Sequence, residues 1–475
     1  DAVNNIQDGA EGNIILEDNI DLGALAGMIS TKAAAPTYGL LIPAGKSLVL
    51  DLNGLTLSQM VECTTSYNMI ENHGKLVIAD SKGNGKISFM DLSQGGSSTW
   101  GSYVIGNQTG AELTLESGTI EHLGSKNWTD RPTNLPIQNY AGKVTINGGT
   151  YKGCAEDFAK GGRSVIYASS GNVIDIYGGT FESLSADKSS YANTTEGVYA
   201  ALNVADNNGM INVYGGTFVK QNPAAPGTEP SAWNAAHPNG FVALGYTTKQ
   251  DGDNYVVVAP TSVETTSDFK QALSEGKSVV LTEDIDYGTT QLEIKGENQV
   301  VNLGGHTLKT QMTHGGIAIK NGASIVNGTI EHTSTVAAIK AFKVGSIENV
   351  TIKTTCATTN KTITAIAVQQ GGHVGSIKNV TIEGVSQGIE VGFQANVDLI
   401  ENVTVEENTN GTANGIGLVI NGGKVVKAKN CTFKGEVYGI TMHLKGVCAA
   451  GLELENCKVE GTSASIYAWD EKGIS

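Results

Sequence analysis

The chain has 475 residues, 61 of them glycine, and only 16 % of its residues are charged. This length exceeds one ordinary globular core, so we expect two or more units, or a stack of repeats rich in turns and short strands. The formal net charge of −16, with Arg131 and Arg163 as the only arginines, disfavours nucleic acid as a partner. No apolar run is long enough for membrane insertion.

Apolar blocks that favour strands lie at 14–21 and 48–57, and a Gly-Gly-Thr-aromatic motif then occurs three times. The motif occupies 148–151, 178–181 and 215–218, after a degenerate copy at 117–120. A motif repeated at a nearly constant interval is typical of stacked repeat architectures. The paired glycines permit a bend with positive φ. The aromatic residue after each threonine is predicted to stack along the inside of the repeat: Tyr151, Phe181 and Phe218.

The segment 221–240 holds four of the nine prolines and shows no periodicity, so we predict a long loop there. After it, Phe241 to Gly245 and Tyr255 to Ala259 bracket Asp251-Gly252-Asp253, a sequence that indicates a hairpin turn closing the first unit. The same aspartates offer oxygen ligands for calcium, although the hairpin accounts for them fully. We therefore expect no cofactor, with calcium as the alternative.

Blocks at 279–286 and 300–308 repeat the order and composition of those at 14–21 and 48–57. The chain is interpreted as a duplication, with predicted domains at 1–260 and 261–475. Residues 268–273 have helical spacing, with Ser267 or Asp268 as the N-cap. We expect this short helix to cap the second stack, because repeat stacks need caps that hide their end edges.

The second half has its own repeat, built on asparagine and followed by alternating apolar and polar residues, a pattern that predicts strands. Asparagine tolerates the left-handed conformation of a tight bend, and stacked asparagines can hydrogen bond to one another. Cys431 and Cys457 occupy the same position in successive repeats and should point inward, as stacked thiols or as a disulfide. The repeated asparagines are Asn327, Asn349, Asn379, Asn402, Asn430 and Asn456.

These blocks resemble the right-handed parallel β-helix proteins of the pectin-lyase-like superfamily, and especially secreted and surface-anchored β-helix proteins of gut bacteria. The resemblance is carried by FKQALSEGKSVVLTEDID at 269–286, LDLNGLTL at 50–57 and the GGTF segments. It implies an all-β fold, a right-handed parallel β-helix (solenoid) in two tandem units with a short capping helix. The superfamily includes lyases, hydrolases, epimerases, adhesins and binding proteins, so the resemblance specifies the fold more than the function.

An enzymatic interpretation needs catalytic residues, and the calcium-aspartate and Gly-His-Gly elements of such enzymes are absent from the sequence. The remaining catalytic candidates combine an arginine base with nearby carboxylates in loops of the first unit. Salt bridges within these loops are the alternative interpretation, and the acidic runs at 17–18 and 283–286 are interpreted as polar turns. The candidates are Asp130, Arg131, Asp157 and Arg163.

Aromatic residues are concentrated in the same loops, and aromatic faces are a common means of binding sugars. Equivalent loops of a repeat stack lie on one side, so these side chains could line one groove. The alternative is that each tryptophan only fastens its own loop to the wall. The predicted ligand-binding residues are Trp100, Trp128, Trp233, Tyr140 and His237, with Tyr191 as a further candidate.

The sequence begins at Asp1 without a methionine, which suggests that a leader was removed or trimmed away. We expect a secreted or cell-surface bacterial protein that is non-catalytic and serves adhesion or glycan binding. Its expected partner is a polysaccharide or a host-surface glycan or protein. A polysaccharide lyase or glycoside hydrolase acting in a groove of the first unit is the alternative, and a structural spacer is the third possibility.

Overall fold

The structure is a computed structural model of the chain. It describes residues 3–23, 37–63, 65–92, 101–125, 133–153, 164–169, 171, 173–183, 201–204, 209–224, 240–312, 315–355, 363–406, 415–444 and 452–470. The chain divides into two compact units, Asp1–Ala259 and Pro260–Ser475.

The described part of the first unit is built from short strands. Its strands are β1 Glu11–Ile15, β2 Ile20–Asp21, β3 Tyr38–Ile42, β4 Ser47–Asp51, β5 Thr56–Val61, β6 Tyr67–Asn72, β7 Lys75–Ala79, β8 Lys86–Asp91, β9 Gly101–Asn107, β10 Glu112–Leu115, β11 Thr119–Ser125, β12 Thr133–Asn139, β13 Lys143–Ile146, β14 Thr150–Gly153, β15 Ile166–Ala168, β16 Val173–Ile176, β17 Thr180–Ser183, β18 Leu202–Val204, β19 Met210–Val213, β20 Thr217–Phe218, β21 Thr247–Asp251 and β22 Asn254–Val258.

Every third strand of the first unit pairs with the next in parallel, which produces three separate sheets. Sheet A has the order β1-β4-β7-β10-β13-β16-β19, and sheet B contains β2-β5-β8-β11-β14-β17-β20. Sheet C has the order β18-β15-β12-β9-β6-β3. Three successive strands, one from each sheet, are called a coil below. The described chain is therefore all-β with large parallel sheets, as the strand pattern predicted.

In-register pairing brings equivalent residues of successive coils side by side. In sheet A, Leu113 pairs with Val144, Val144 with Ile174 and Ile174 with Ile211, and all four side chains are buried. The residues that alternate with these four along each strand face solvent, because successive side chains of a strand point to opposite faces. One face of each sheet therefore supplies the core of the unit.

The aromatic residues of the Gly-Gly-Thr motifs form an internal stack, as predicted. The ring centroid of Phe181 lies 5.0 Å from that of Tyr151 and 4.9 Å from that of Phe218, and the rings are nearly parallel. All three side chains are buried. The second glycine of the last two motifs, Gly179 and Gly216, has a φ of 106°, which side-chain-bearing residues rarely adopt. The motif thus builds the bend that turns each ring into the core.

The first unit ends in the predicted hairpin. Strands β21 and β22 pair antiparallel, with Asp251 opposite Asn254 and Gly252 at a φ of 60°. Its first strand is Thr247–Asp251, whereas the sequence predicted Phe241 to Gly245. Strand β22 also pairs antiparallel with β20, so the hairpin covers the last strand of sheet B. This cover satisfies an edge that would otherwise expose unpaired backbone groups.

The second unit combines strands with one described helix. Its elements are β23 Thr261–Val263, α1 Thr266–Ser274, β24 Val279–Leu281, β25 Ile285–Gly288, β26 Leu292–Ile294, β27 Val300–Asn302, β28 Thr307–Thr310, β29 Ile317–Ile319, β30 Ala323–His332, β31 Ile339–Thr354, β32 Thr364–Lys378, β33 Thr381–Glu383, β34 Gln387–Val391, β35 Asn396–Glu401, β36 Thr404–Val405, β37 Ile416–Asn421, β38 Lys424–Lys429, β39 Thr432–Gly435, β40 Tyr438–Leu444, β41 Glu453–Glu455, β42 Lys458–Gly461 and β43 Ala464–Asp470.

The same pairing by threes occurs in the second unit. Strand β34 pairs with β37, β37 with β40 and β40 with β43, all in parallel. Strands β30, β31 and β32 are longer and pass around corners, so a single sheet of 21 strands links the whole unit. The inward residues of the strands of this unit form one continuous apolar cluster that extends from Val263 to Ile440.

Helix α1 packs at the beginning of the second unit. Phe269, Ala272 and Leu273 are buried in the same cluster as residues of β23 and β24. The N-cap is Thr265, whose side chain accepts a hydrogen bond from the Asp268 backbone N–H at 3.2 Å. The predicted caps, Ser267 and Asp268, instead lie within the first turn. The helix begins at Thr266, two residues before the predicted 268–273, because the Thr265 side chain caps the N3 amide.

Four of the six repeated asparagines form the predicted ladder. Asn349 donates from Nδ2 to Oδ1 of Asn327 at 3.0 Å, Asn379 donates to Asn349 at 2.8 Å, and Asn402 donates to Asn379 at 3.0 Å. Their φ angles lie between 51° and 59°, in the left-handed region that asparagine tolerates. Each amide therefore both permits a bend and links neighbouring coils.

Cys431 and Cys457 occupy neighbouring coils, and both are free thiols. Burial raises the pKa of the Cys431 thiol to about 11, so the reactive thiolate is disfavoured. Its Sγ lies 3.1 Å from the carbonyl oxygen of Lys429. The two cysteines therefore act as small core residues.

The acidic residues at 17–18 and 283–284 lie at or beside bends, as predicted, whereas Asp286 belongs to β25. The two units use the same hydrogen bonds at this place. The Asn19 side chain accepts from the Thr56 amide at 2.8 Å, and Asp284 accepts from the Thr307 amide at 2.8 Å. Asp21 and Asp286 each accept from the amide of the glycine two residues later. These matched bonds support the interpretation of the chain as a duplication.

The internal aromatic stack predicts a specific stability loss. Replacing Phe181 by alanine leaves a cavity between two rings and is expected to lower the free energy of unfolding by about 3–5 kcal/mol. Urea denaturation followed by circular dichroism measures this loss. The control is Tyr177→Ala, whose side chain is 53 % exposed, with an expected loss below about 1 kcal/mol. Equal losses in the two variants would contradict an internal position for the stack.

Candidate functional site

The loops with most of the predicted site residues share one position in the order of strands. Residues 93–100 lie between β8 and β9, residues 126–132 between β11 and β12, and residues 154–163 between β14 and β15. Each segment therefore leaves sheet B and enters sheet C, in which β9, β12 and β15 are direct neighbours. The loops thus join sheet C at adjacent strand starts.

Most of those predicted residues lie outside the part of the chain that the structure describes. This holds for the catalytic candidates and for all but one of the ligand-binding candidates, and Tyr140 is the described one. The undescribed candidates are Asp130, Arg131, Asp157, Arg163, Trp100, Trp128, Trp233, His237 and Tyr191. The described part of the candidate site therefore consists of the strands that these loops join.

Sheet C presents polar and aromatic residues on the face opposite its core residues. Glu71 pairs with Gly106, Gly106 with Gln138, and Gln138 with Tyr167. These positions follow the buried Ile70, Ile105 and Ile137 and therefore lie on the outer side of the sheet. Glu71 and Tyr167 are partly exposed there, whereas Gln138 is buried. A second row lies directly after the ends of these strands. We call the two rows the sheet C face: Glu71, Gly106, Gln138, Tyr167 and Asn203 in the first row, and His73, Gln108, Tyr140 and Ser169 in the second.

Hydrogen bonds connect side chains across this face. Glu71 accepts from Nδ2 of Asn68 at 3.0 Å, and its other oxygen lies 2.8 Å from Nε2 of His73. Gln138 donates from Nε2 to Oγ of Ser169 at 3.2 Å. The side chains of Glu71 and His73 are 17 % and 41 % exposed. The face therefore offers oriented donors and acceptors that are partly open to solvent.

Tyr140 packs on this face against a second tyrosine. Its ring lies 6.1 Å from that of Tyr103 in an edge-to-face arrangement. Burial raises the pKa of both phenols, so both stay protonated. Tyr140 is half-buried and Tyr103 is buried. These contacts do not test the prediction that Tyr140 binds a ligand. The Tyr140 side chain lies on the sheet C face and is partly exposed.

A glycine makes room for a buried amide beside these tyrosines. A Cβ on Gly106 would lie 2.1 Å from Oδ1 of Asn68, so no larger residue fits there without moving that side chain. Asn68 Oδ1 is buried and has no hydrogen-bond partner. Burying an unsatisfied amide oxygen is unfavourable, so this contact is a local cost of the close approach between Asn68 and Gly106.

A serine and a histidine also meet below the loops, but inside the core. Oγ of Ser102 lies 3.0 Å from Nε2 of His122, and both residues are buried. The backbone N–H of Gly124 donates to Nδ1 of His122 at 2.9 Å, so the proton of the neutral ring is on Nε2. That nitrogen donates to Ser102 and cannot accept its proton. The pair is therefore structural and lacks the arrangement of a nucleophile with a general base.

Metal sites and membrane-spanning segments can be assessed only for the described residues. No three His, Cys, Asp or Glu side chains converge there to hold a metal ion. Within the same ranges, no helix has the length and apolar character needed to cross a bilayer. Glu71 is the only acidic residue in the two rows of the sheet C face.

A second group of exposed aromatic residues escaped the sequence analysis. Tyr177 and Tyr214 precede Gly-Gly-Thr motifs, and their rings stack 4.8 Å apart on the outer side of sheet A. Tyr246 meets Tyr214 edge to face at 5.4 Å. Burial raises the pKa of Tyr214. Tyr177 and Tyr214 both directly precede the two glycines of their motif. This repeated position indicates a stack, because residues at the same place in successive coils become neighbours.

Comparison with known families and sequences leaves the chain unassigned. No family model matches it, and no curated protein matches its sequence.

The buried His122 predicts acid sensitivity of the first unit. Burial lowers its pKa from 6.5 to about 4, so the unfolded chain takes up a proton that the native state does not. Stability is therefore lost as the pH falls from about 6.5 towards about 4, by up to about 3 kcal/mol. The free energy of unfolding of His122→Gln should change less between these two pH values than that of the unsubstituted chain.

His306→Gln, which alters a partly exposed histidine of the second unit, is the matched control and should keep the full pH dependence. An unchanged pH dependence in His122→Gln would show that other groups cause the acid sensitivity.

Proposed function

We propose that this chain is a non-catalytic, secreted or cell-surface protein that binds a polysaccharide on the sheet C face of its first unit. The observation that carries the proposal is the composition of that face. Side chains that donate and accept hydrogen bonds lie beside two tyrosine rings, those of Tyr140 and Tyr167, on neighbouring strands of this face. A sugar chain offers the complementary groups, namely hydroxyls for the amides and apolar C–H surfaces for the rings.

The shape of this surface supports an elongated ligand. Equivalent residues of neighbouring coils are separated by the spacing of parallel strands, about 4.8 Å. The two rows therefore run perpendicular to the strands, along the direction in which the coils stack. The loops with Trp100, Trp128 and Arg163 join the same strands, so additional contacts from these loops are part of the proposal.

We also propose the right-handed parallel β-helix of the pectin-lyase-like superfamily as the fold of both units. The pairing of every third strand supports this assignment. Parallel strands joined by crossovers are right-handed in nearly all known cases. The sequence motifs at 50–57 and 269–286 add the resemblance to secreted bacterial members, and with it the surface localisation.

A polysaccharide lyase or glycoside hydrolase is the second candidate, and Glu71 is the residue that favours it. This carboxylate lies on the proposed binding face and is hydrogen-bonded to Asn68 and His73. A hydrolase needs a second carboxylate at about 5–9.5 Å, which Asp130 or Asp157 would have to supply. The non-catalytic function is preferred because it requires no such partner. A structural spacer, the third candidate, would bind no glycan.

The proposal predicts the effect of removing one ring from the sheet C face. The reference ligand is a polysaccharide that binds the unsubstituted chain. Tyr140→Ala is expected to bind it at least about tenfold more weakly, equivalent to about 1.4 kcal/mol. Tyr140→Phe keeps the ring and should bind more tightly than Tyr140→Ala. Affinity gel electrophoresis over a panel of plant, fungal and host polysaccharides measures these differences. Trp128→Ala tests the adjoining loop in the same assay.

The matched control is Tyr177→Ala, which removes an exposed ring from sheet A and should leave binding unchanged. Circular dichroism must show that each variant is folded. Binding that is equal in Tyr140→Ala and Tyr177→Ala would refute the assignment of this face. Release of reducing ends or unsaturated uronates by the unsubstituted chain, lost in Glu71→Gln, would establish the enzymatic alternative instead.

A further inference from the structure

One pentapeptide occurs in both units and identifies their equivalent sheets. Gly-Thr-Ile-Glu-His occupies 118–122 and 328–332. Each histidine is buried and hydrogen-bonded to a hydroxyl, His122 to Ser102 at 3.0 Å and His332 to Thr310 at 2.8 Å. In the first unit the next strand is β12 of sheet C. In the second unit the next strand begins at Ile339, so the strip β29-β31-β32-β34-β37-β40-β43 is the counterpart of sheet C.

The outer side of this strip has a group of four rings on β40 and β43. Trp469 stacks on His443 with centroids 4.6 Å apart, and Tyr467 stacks on Tyr438 at 5.1 Å. Tyr467 and Trp469 are 5.5 Å apart and join the two stacks. We call these residues the β40–β43 aromatic cluster: Tyr438, His443, Tyr467 and Trp469.

The cluster is separate from the apolar core of the unit. Ile440 and Met442 alternate with His443 along β40, and they pack in the core. Tyr467 is 42 % exposed, and the other three rings are partly exposed. Large aromatic surfaces that are not needed to fill a core are typical of binding sites.

Polar atoms frame the rings. Nδ1 of His443 lies 3.3 Å from Oδ1 of Asn421, the residue with which it pairs on β37. Because an amide oxygen only accepts, Nδ1 carries the proton in this contact and Nε2 of the neutral ring remains an acceptor. The phenol groups of Tyr438 and Tyr467 add further donors and acceptors. The cluster therefore combines flat apolar surfaces with hydroxyl-binding edges.

The charged residues of the second unit favour a neutral ligand over an anionic one. The second unit contains no arginine, the residue best suited to bind carboxylates, sulfates and phosphates in pairs of hydrogen bonds. The cation–π contacts in its described part involve Tyr287 and Phe342, which lie outside the cluster. The 22 acidic residues of the second unit outnumber its 17 lysines, which also disfavours anionic chains. Uronate-rich polymers and nucleic acids are thus disfavoured.

We infer that the β40–β43 aromatic cluster is a second carbohydrate site, which binds a neutral oligosaccharide independently of the sheet C face. A hexose stacks its C–H face on Trp469 or Tyr467, and its hydroxyls bond to His443 and the tyrosine phenols. The ligand class rests on the proposed function, whereas the position and the residues are independent of it.

Isothermal titration of the full chain with neutral hexasaccharides tests this inference. The probes are cellohexaose, xylohexaose, mannohexaose and maltohexaose. At least one probe is expected to bind, and Trp469→Ala should weaken that binding by about tenfold or more. Trp469→Phe, which preserves a ring on His443, should lose less affinity. Tyr467→Ala should reproduce the loss, and Tyr177→Ala should bind as the unsubstituted chain does.

Pairing these variants with Tyr140→Ala separates the two sites. Loss in Trp469→Ala with no effect of Tyr140→Ala would support this cluster as a site that is independent of the sheet C face. Loss in Tyr140→Ala alone would refute this cluster and leave the proposed function intact. Partial losses in each, with complete loss in the double variant, would support both sites. Absence of binding by all four probes would overturn the inference.

Discussion

The structure depends on in-register parallel pairing between every third strand. This pairing converts a one-dimensional repeat into rows of identical neighbours about 4.8 Å apart. Inward rows become stacks such as Tyr151, Phe181 and Phe218, and outward rows become continuous surfaces. Each residue of a coil therefore lies beside its counterparts in the adjacent coils, and its packing depends on them. The same rule accounts for the core, the asparagine ladder and both proposed binding faces.

Polar groups inside the coils are tolerated because the rows also align their hydrogen-bond partners. In sheet C, the buried amides of Asn72, Asn107 and Asn139 bond to one another across neighbouring strands at 2.8 and 3.0 Å. The second unit uses the exposed asparagines at its bends for the same purpose. Since an unsatisfied buried amide is unfavourable, such rows bind the coils together and penalise any slip in register.

Features that depend on local backbone chemistry were predictable from sequence. The Gly-Gly-Thr bends, the left-handed asparagines and the hairpin after Asp251 all follow from residues with unusual φ preferences. The outward rows were not predictable, because loops of variable length hide which residues become neighbours. Sheet C also interrupts simple alternation, since Met69 and Ile70 are both buried. Only Tyr140 of the sheet C face was selected, and the β40–β43 aromatic cluster was missed because its rings belong to two coils.

The connections from sheet B to sheet C in the first unit, and between the equivalent strands of the second unit, have very different lengths, although the strands that they join keep their register. Strand β17 ends at Ser183 and β18 begins at Leu202, whereas β39 ends at Gly435 and β40 begins at Tyr438. The entropic cost of closing a loop grows only slowly with its length. This corner is therefore a natural insertion point, where evolution or a protein engineer can graft a new peptide onto a finished scaffold without rebuilding it.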